Sequence, residues 1–238
     1  MIQRLQSRLR PFACTVLLAA LAAVALARAM RADDAGSAPL FGTLTTLLLV
    51  AAVFFAATRR SLFWLALALG VPDVLLHWSG LLFEPPPWLA QAALVSAVPF
   101  CVVLVAALAS HVFRRDRAVN ADRIAGAIAI YLLLALTFAA LYALVLSLDA
   151  KAFYIDAARA GRAAVQRSDL LYFSVSTLTT LGYGDITPVS PVARALTMFE
   201  SVTGVMFIAV LVARLVSLYR FADAAEHVTR SRDDVSTP

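Results

Sequence analysis

Six long apolar segments are the feature that most restricts how this chain can fold. A helix needs roughly 17 to 25 mostly apolar residues to cross the hydrocarbon core of a bilayer. The segments that approach this length are Phe12–Ala27, Leu40–Ala57, Leu62–Leu82, Trp88–Phe113, Ile124–Leu148 and Leu196–Leu218. The chain is 62% hydrophobic and only 15% charged, far from the average of soluble domains. The sequence therefore predicts an all-α membrane protein with six transmembrane helices.

Arginines predict how these helices are oriented. They cluster at alternate ends of the apolar segments, and cytoplasmic loops of membrane proteins carry an excess of basic residues. The clustered residues are Arg4, Arg8, Arg10, Arg59, Arg60, Arg114, Arg115, Arg117, Arg123, Arg220, Arg230 and Arg232. We therefore expect a multi-pass protein of the cell (inner or plasma) membrane with both termini cytoplasmic. This placement accounts for the net charge of +5 and argues against a nucleic-acid partner.

The first segment has two interpretations. Its basic start, its apolar core and Ala25–Ala27 resemble a cleavable signal peptide. Retention is favoured, because the apolar run is long for the core of a signal. Either outcome leaves the following loop outside the cell, so the orientation of the later segments is the same.

A polar stretch, TLTTLGYGDITP, lies between the last two apolar segments, at Thr177–Pro188. In this topology it lies at the outer side of the membrane or re-enters it. Irregular backbone persists at membrane depth only where protein surrounds it or where it lines an aqueous path. Gly182 and Gly184 can adopt backbone angles that other residues avoid. They would let consecutive carbonyls from Thr180 to Tyr183 point the same way, and such a row replaces the water shell of a cation.

The part TTLGYGD, Thr179–Asp185, resembles the selectivity filter of potassium channels. The resemblance implies that K⁺ is bound by the filter residues Thr180, Leu181, Gly182, Tyr183 and Gly184. It further implies that the Thr180 hydroxyl adds the innermost oxygens, that the Tyr183 ring braces the filter, and that Asp185 lies at the outer mouth. Leu181 stands where valine is usual, a mild change if its side chain points away from the ions. A plain glycine-rich loop is the alternative, but it does not account for this order of residues.

The resemblance also implies a short re-entrant pore helix before the filter. The run SDLLYFSVSTLT fits this helix, with Ser168 or Asp169 as its N-cap. Its supporting residues are expected to be Tyr172, Phe173, Ser176 and Thr179. One chain supplies one filter segment, and a ring of carbonyls around an ion needs four, which implies a homotetramer.

Three residues of the last apolar segment are candidates for a role in gating. Gly204 stands where potassium channels often have a hinge, although it is equally suited to letting helices approach closely. Glu200 could brace the pore helix or concentrate cations, and we favour bracing. Arg214 is expected to reach the cytoplasmic face, or to pair with an anionic lipid or a neighbouring carboxylate.

The sequence divides into three regions. Residues 1–123 form a four-helix N-terminal membrane region, 124–219 a pore domain, and 220–238 a short cytoplasmic tail that extends the last helix briefly and then becomes disordered. The fourth apolar segment has no internal arginines, so no voltage sensor of the usual type is predicted. Asp73 and His77 are intramembrane polar residues, and Asp73 is equally compatible with an ion site and with contact to interfacial water.

Taken together, these patterns predict a potassium-selective channel in contact with membrane lipids. No cofactor is expected beyond the permeant K⁺, and no catalytic motif is visible, so the protein is not expected to be an enzyme. The alternatives are a weakly selective cation channel, a non-conducting sensor or scaffold subunit, and a transporter, for which the expected internal repeats are missing. Cys14 and Cys101 both lie in apolar segments and are interpreted as buried thiols.

Overall fold

The computed structural model describes residues 13–30, 46–47, 50–51, 60–82, 87–113 and 121–235. Its helices are α1 (Ala13–Met30), α2 (Arg60–Leu82), α3 (Pro87–Val112), α4 (Ala121–Leu148), α5 (Ala157–Ala160), α6 (Arg167–Leu178) and α7 (Pro191–Val235). Two strands, β1 (Phe153–Ile155) and β2 (Ile186–Pro188), form an antiparallel pair. The prediction of a helical architecture is confirmed.

Within the described ranges, three helical stretches are long and apolar enough to cross a bilayer. They are Gln91–Val112, Ala121–Leu148 and Pro191–Val216, and two shorter apolar stretches are Cys14–Ala23 and Phe63–Pro72. The predicted segment Leu40–Ala57 lies almost entirely outside the described residues. The class of membrane protein is therefore supported, and the count of six spans stays a prediction.

Helix α4 is the centre of the described fold. It packs against α1 and α3 on one side and against α6 and α7 on the other. Gly126 of α4 lets α1 and α3 approach closely. A Cβ at this position would lie 2.6 Å from Val112 Cγ2 of α3 and 3.1 Å from Cys14 Sγ of α1. Helices in membranes commonly associate through such small residues, because close backbone approach increases van der Waals contact.

The predicted N-cap of the pore helix is wrong by a few residues. Helix α6 begins at Arg167 with Gln166 as its N-cap, and Asp169 lies at the third helical position. Asp169 accepts a hydrogen bond from the Gln166 N–H (2.8 Å), and the Gln166 side chain accepts one from the Asp169 N–H, so the two residues form a capping box. Asp169 also forms an ion pair with Arg162. The reciprocal bonds explain why Asp169 serves the helix start without being the cap residue.

Helix α7 is longer at both ends than predicted. It begins at Pro191 rather than Leu196, because the Ser190 side chain accepts a hydrogen bond from the Ala193 N–H (3.2 Å) and proline suits the first helical position. It continues to Val235, so the prediction that the tail becomes disordered soon after Tyr219 is wrong for the residues up to Val235. Residues 220–235 contain neither glycine nor proline, so the sequence offers no signal that ends the helix there.

Candidate functional site

The backbone of the glycine-spaced stretch alternates in handedness. Thr180, Gly182 and Gly184 have φ angles of 60°, 56° and 76°, whereas no positive φ occurs at the residues between them. Positive φ is uncommon for a residue with a side chain, and such strained residues cluster at functional sites. Alternation of this kind turns like groups of successive peptides toward one side.

The carboxyl end of α6 holds the inner end of this stretch. The Ser176 carbonyl accepts hydrogen bonds from the N–H groups of Leu181 (2.8 Å) and Gly182 (3.2 Å). The Thr179 hydroxyl donates back to the Val175 carbonyl (2.7 Å). Helix α6 and the glycine-spaced stretch therefore form one continuous hydrogen-bonded unit.

Aromatic side chains hold the outer end. The rings of Tyr172 and Tyr183 are stacked, 6.2 Å apart and 7° from parallel. The Tyr172 hydroxyl donates to Asp185 Oδ2 (2.9 Å), and the Asp185 carbonyl accepts from the Asp156 N–H (2.9 Å). Tyr172 of α6 therefore contacts both Tyr183 and Asp185, and Asp185 in turn contacts Asp156 in the preceding loop.

Glu200 of α7 lies where this helix packs against α4 and α6. Its side chain is fully buried, and its carboxyl group forms hydrogen bonds with the hydroxyls of Tyr142 on α4 (2.5 Å) and Ser174 on α6. The Tyr142 ring also packs edge-on against Phe173 and Phe153. The contacts place Glu200 among α4, α6 and α7, where it links all three helices.

Gly204 brings α7 close to the end of the pore helix. A Cβ at this position would lie 2.3 Å from the Leu178 carbonyl oxygen, so only glycine fits without displacing backbone. The same carbonyl accepts a hydrogen bond from the Tyr131 hydroxyl of α4 (2.7 Å). The geometry is that of close packing, one of the two interpretations offered by the sequence.

Arg214 makes a separate contact at the other end of α7. Its guanidinium donates to the Phe113 carbonyl (2.5 Å), just beyond the last residue of α3, and lies 4.9 Å from the centre of the Phe113 ring. A cation at a helix carboxyl end is favourable, because unpaired carbonyls and the helix dipole are negative there.

The structure brings most candidate residues to one place, and it adds several that sequence reasoning missed. The added residues are Tyr131, Tyr142, Asp156, Arg162 and Ser174. Ser174 lies in the run expected to form the pore helix, but no sequence pattern indicated its contact with Glu200. The side chains of Asp73 and His77 lie outside the described part, so both alternatives for Asp73 stay open.

Comparison with known proteins shows what the second half of the chain is similar to. Residues 128–220 match the model of a family described as "Ion channel". The chain is 40% identical over 63 residues to Potassium channel K1 of Plasmodium berghei (strain Anka), and 39% identical over 61 residues to Two pore potassium channel c of Oryza sativa subsp. japonica. Residues 128–220 are therefore similar to ion channels, and both of these relatives are potassium channels.

The matches cover a limited part of each protein. Each relative aligns with 26% of this chain, and the chain spans 3% of the Plasmodium protein and 13% of the rice protein. The matched family and both relatives are channels rather than enzymes. The apolar helices of the chain agree with a membrane location.

Proposed function

We propose that the protein is a homotetrameric, potassium-selective channel of the cell membrane, with six helices in each chain and both termini in the cytoplasm. K⁺ crosses passively through rings of carbonyls contributed by Thr180, Leu181, Gly182, Tyr183 and Gly184. The outer mouth is formed by Asp185. Tyr172, Phe173, Ser176 and Thr179 support the filter from the pore helix.

The observation that carries this proposal is the alternation of φ at Thr180, Gly182 and Gly184. A cation leaves its hydration shell only if oxygens replace the waters, and carbonyls aligned on one side of an irregular backbone supply them. The alternation occurs in the stretch that Ser176 and Tyr172 fix at its two ends. A connecting loop has no need of that geometry.

The exposed surface of the chain supports assembly. Leu181 and Tyr183 are 57% and 61% exposed, and apolar side chains line much of α7, with Met198 and Phe199 more than 70% exposed. Irregular backbone is costly at membrane depth unless protein or an aqueous path covers it. Four copies around one axis bury these faces and create a water-filled path between the filter segments.

The decisive measurement is the reversal potential of the purified full chain in planar bilayers with K⁺ on one side and Na⁺ on the other. A value close to the K⁺ equilibrium potential is expected. A value near zero with a clear current would instead identify a weakly selective cation channel. The absence of current at every voltage, together with a co-purifying partner, would identify a silent sensor or scaffold subunit.

Two glycines provide a matched pair of variants for the filter. Gly182 and Gly161 both have positive φ, 56° and 68°, and an added Cβ meets no atom within 4 Å at either site. Gly182→Ala and Gly161→Ala therefore impose a similar backbone strain of about 1–2 kcal/mol, but only the first lies in the filter. We expect Gly182→Ala to abolish K⁺ selectivity and Gly161→Ala to preserve it; equal effects would contradict the assigned filter.

A further inference from the structure

We propose that Cys14, His111 and Asp122 form a binding site for one Zn²⁺ ion, or a divalent ion of similar chemistry, away from the pore. The three residues come from α1, α3 and α4, and their potential ligand atoms all lie within 4.8 Å of one another. They are a thiol, an imidazole and a carboxylate, which are the ligands that Zn²⁺ takes in proteins. The site is independent of the proposed conduction path.

The three side chains are largely shielded from solvent, and the carboxylate is already oriented by hydrogen bonds. Cys14 and Asp122 are buried and His111 is partly buried. Asp122 Oδ1 accepts hydrogen bonds from the N–H groups of Cys14 and Thr15 and from the Thr15 hydroxyl, each at 3.1 Å. These bonds fix the orientation of the carboxylate, a role that outer-shell hydrogen bonds serve at metal centres.

Packing below the cluster keeps the sulfur in place. A side chain at Gly126, one turn beyond Asp122, would approach Cys14 Sγ to 3.1 Å. Ligand atoms in a tetrahedral zinc site are about 3.3–3.7 Å apart, as follows from bond lengths of about 2.0–2.3 Å. The ligand atoms therefore need to approach one another by about 1.5 Å at most, which side-chain rotation of His111 and Asp122 can supply.

Charge selects the ion. Binding displaces the thiol proton to solvent, so that a thiolate, a carboxylate and a neutral imidazole surround the ion. Two negative ligands neutralise a divalent cation, which makes the bound cluster compatible with a buried position between apolar helices. Thiolate and imidazole disfavour Mg²⁺ and Ca²⁺, which prefer oxygen ligands.

Bound metal would tie the N-terminal helices to the outer helix of the pore segment. Cys14 lies near the start of α1, His111 near the end of α3 and Asp122 in the first turn of α4. The three helix ends meet at one side of the described bundle. Metal binding would therefore restrict movement of α4 relative to α1 and α3.

Cobalt provides the test, because tetrahedral Co²⁺ with a thiolate ligand has intense visible bands and a sulfur-to-metal charge-transfer band. The full chain, purified with a chelator and then freed of it, is titrated with Co²⁺ and afterwards with Zn²⁺. We expect both band types at one equivalent, and their loss when Zn²⁺ displaces Co²⁺. Only the weak spectrum of octahedral Co²⁺ would overturn the proposal.

Variants separate the ligand roles from folding. Cys14→Ser should remove the charge-transfer band and weaken Zn²⁺ binding at least tenfold, whereas Cys101→Ser, at the other buried cysteine, should change neither. Asp122→Asn retains an oxygen for the α1 hydrogen bonds and should weaken binding similarly, so it decides the case if Cys14→Ser does not fold. Unchanged Zn²⁺ affinity in a folded variant would refute the site, whatever the protein conducts.

Discussion

The two ends of α7 are held in different ways. Toward the filter, Glu200 and Gly204 fix the helix on α4 and α6 by hydrogen bonds and backbone contact, and both are deeply buried. Toward the other end, the described side chains are mostly exposed or half-buried, and Arg214 makes the polar contact to a neighbouring helix. We therefore expect the inner end of α7 to move more readily than the end that packs on α4 and α6.

The largest expected effect is that of Glu200→Ala. It removes the acceptor of the buried Tyr142 hydroxyl and leaves a cavity among three helices, which together should destabilise the chain by about 3 kcal/mol. Thermal unfolding in detergent measures the loss. Ser201→Ala is the control, because the Ser201 hydroxyl bonds only within α7, to the Thr197 carbonyl. Equal midpoints for the two variants would contradict the anchoring role of Glu200.

Gly204→Ala tests whether close backbone approach secures the filter end. The added methyl meets a backbone carbonyl that cannot rotate away, and overpacking of this kind costs about 1–3 kcal/mol. At Gly126 the nearest atom is a side-chain methyl of Val112, which can move, so Gly126→Ala should cost less. Unfolding midpoints measured side by side give the order. The reverse order would mean that the backbone at Leu178 moves away from the added methyl at little cost.

Tyr172→Phe has a smaller expected effect at the outer end of the filter. It retains the ring stacked on Tyr183 and removes the hydrogen bond to Asp185, worth about 1 kcal/mol. We expect a partial shift of the reversal potential toward zero in a K⁺/Na⁺ gradient. Tyr154→Phe, on the exposed side of β1, should leave the reversal potential unchanged. A Tyr172→Phe channel as selective as the native one would make this bond dispensable.

Arg214→Gln should have the smallest effect on stability, under about 1 kcal/mol, because the hydrogen bond and the ring contact with Phe113 are made at a partly exposed position. Its effect on gating should be clear, since the inner end of α7 is freed from α3. We expect a higher open probability in single-channel records at unchanged selectivity. Arg194→Gln, near the filter end of the same helix, is the matched control. An unaltered open probability would place the gate elsewhere.

The irregular backbone of the glycine-spaced stretch could be predicted from sequence because its signals are local, and its role as a filter stays a prediction. Two glycines, one residue apart, mark where the backbone becomes left-handed, and Asp185 and Tyr172 lie within one short segment. The positive φ of Thr180 could not be predicted in the same way, since threonine rarely adopts this conformation and is held there by its surroundings. Ser190 followed by Pro191 is a helix-start signal, whereas the apolar segment, from which α7 was predicted, begins only at Leu196.

The contacts among α4, α6 and α7 could not be predicted from the sequence. Glu200 is separated from Tyr142 by 58 residues and from Ser174 by 26, and no periodicity predicts which hydroxyls meet a buried carboxyl group. Likewise, nothing in the sequence indicates that Arg214 reaches Phe113, 101 residues earlier. Hydropathy indicates which segments are helices, but their side-by-side arrangement decides these contacts.

The short β1–β2 pair has a consequence for how the pore segment folds. It joins Ile155 to Ile186 just outside the pore helix and filter, so these elements lie within a loop of about thirty residues whose ends are closed by hydrogen bonds. Contacts of such short sequence separation form early and cost little chain entropy. The segment from β1 to β2 can therefore form its own contacts as a local folding nucleus.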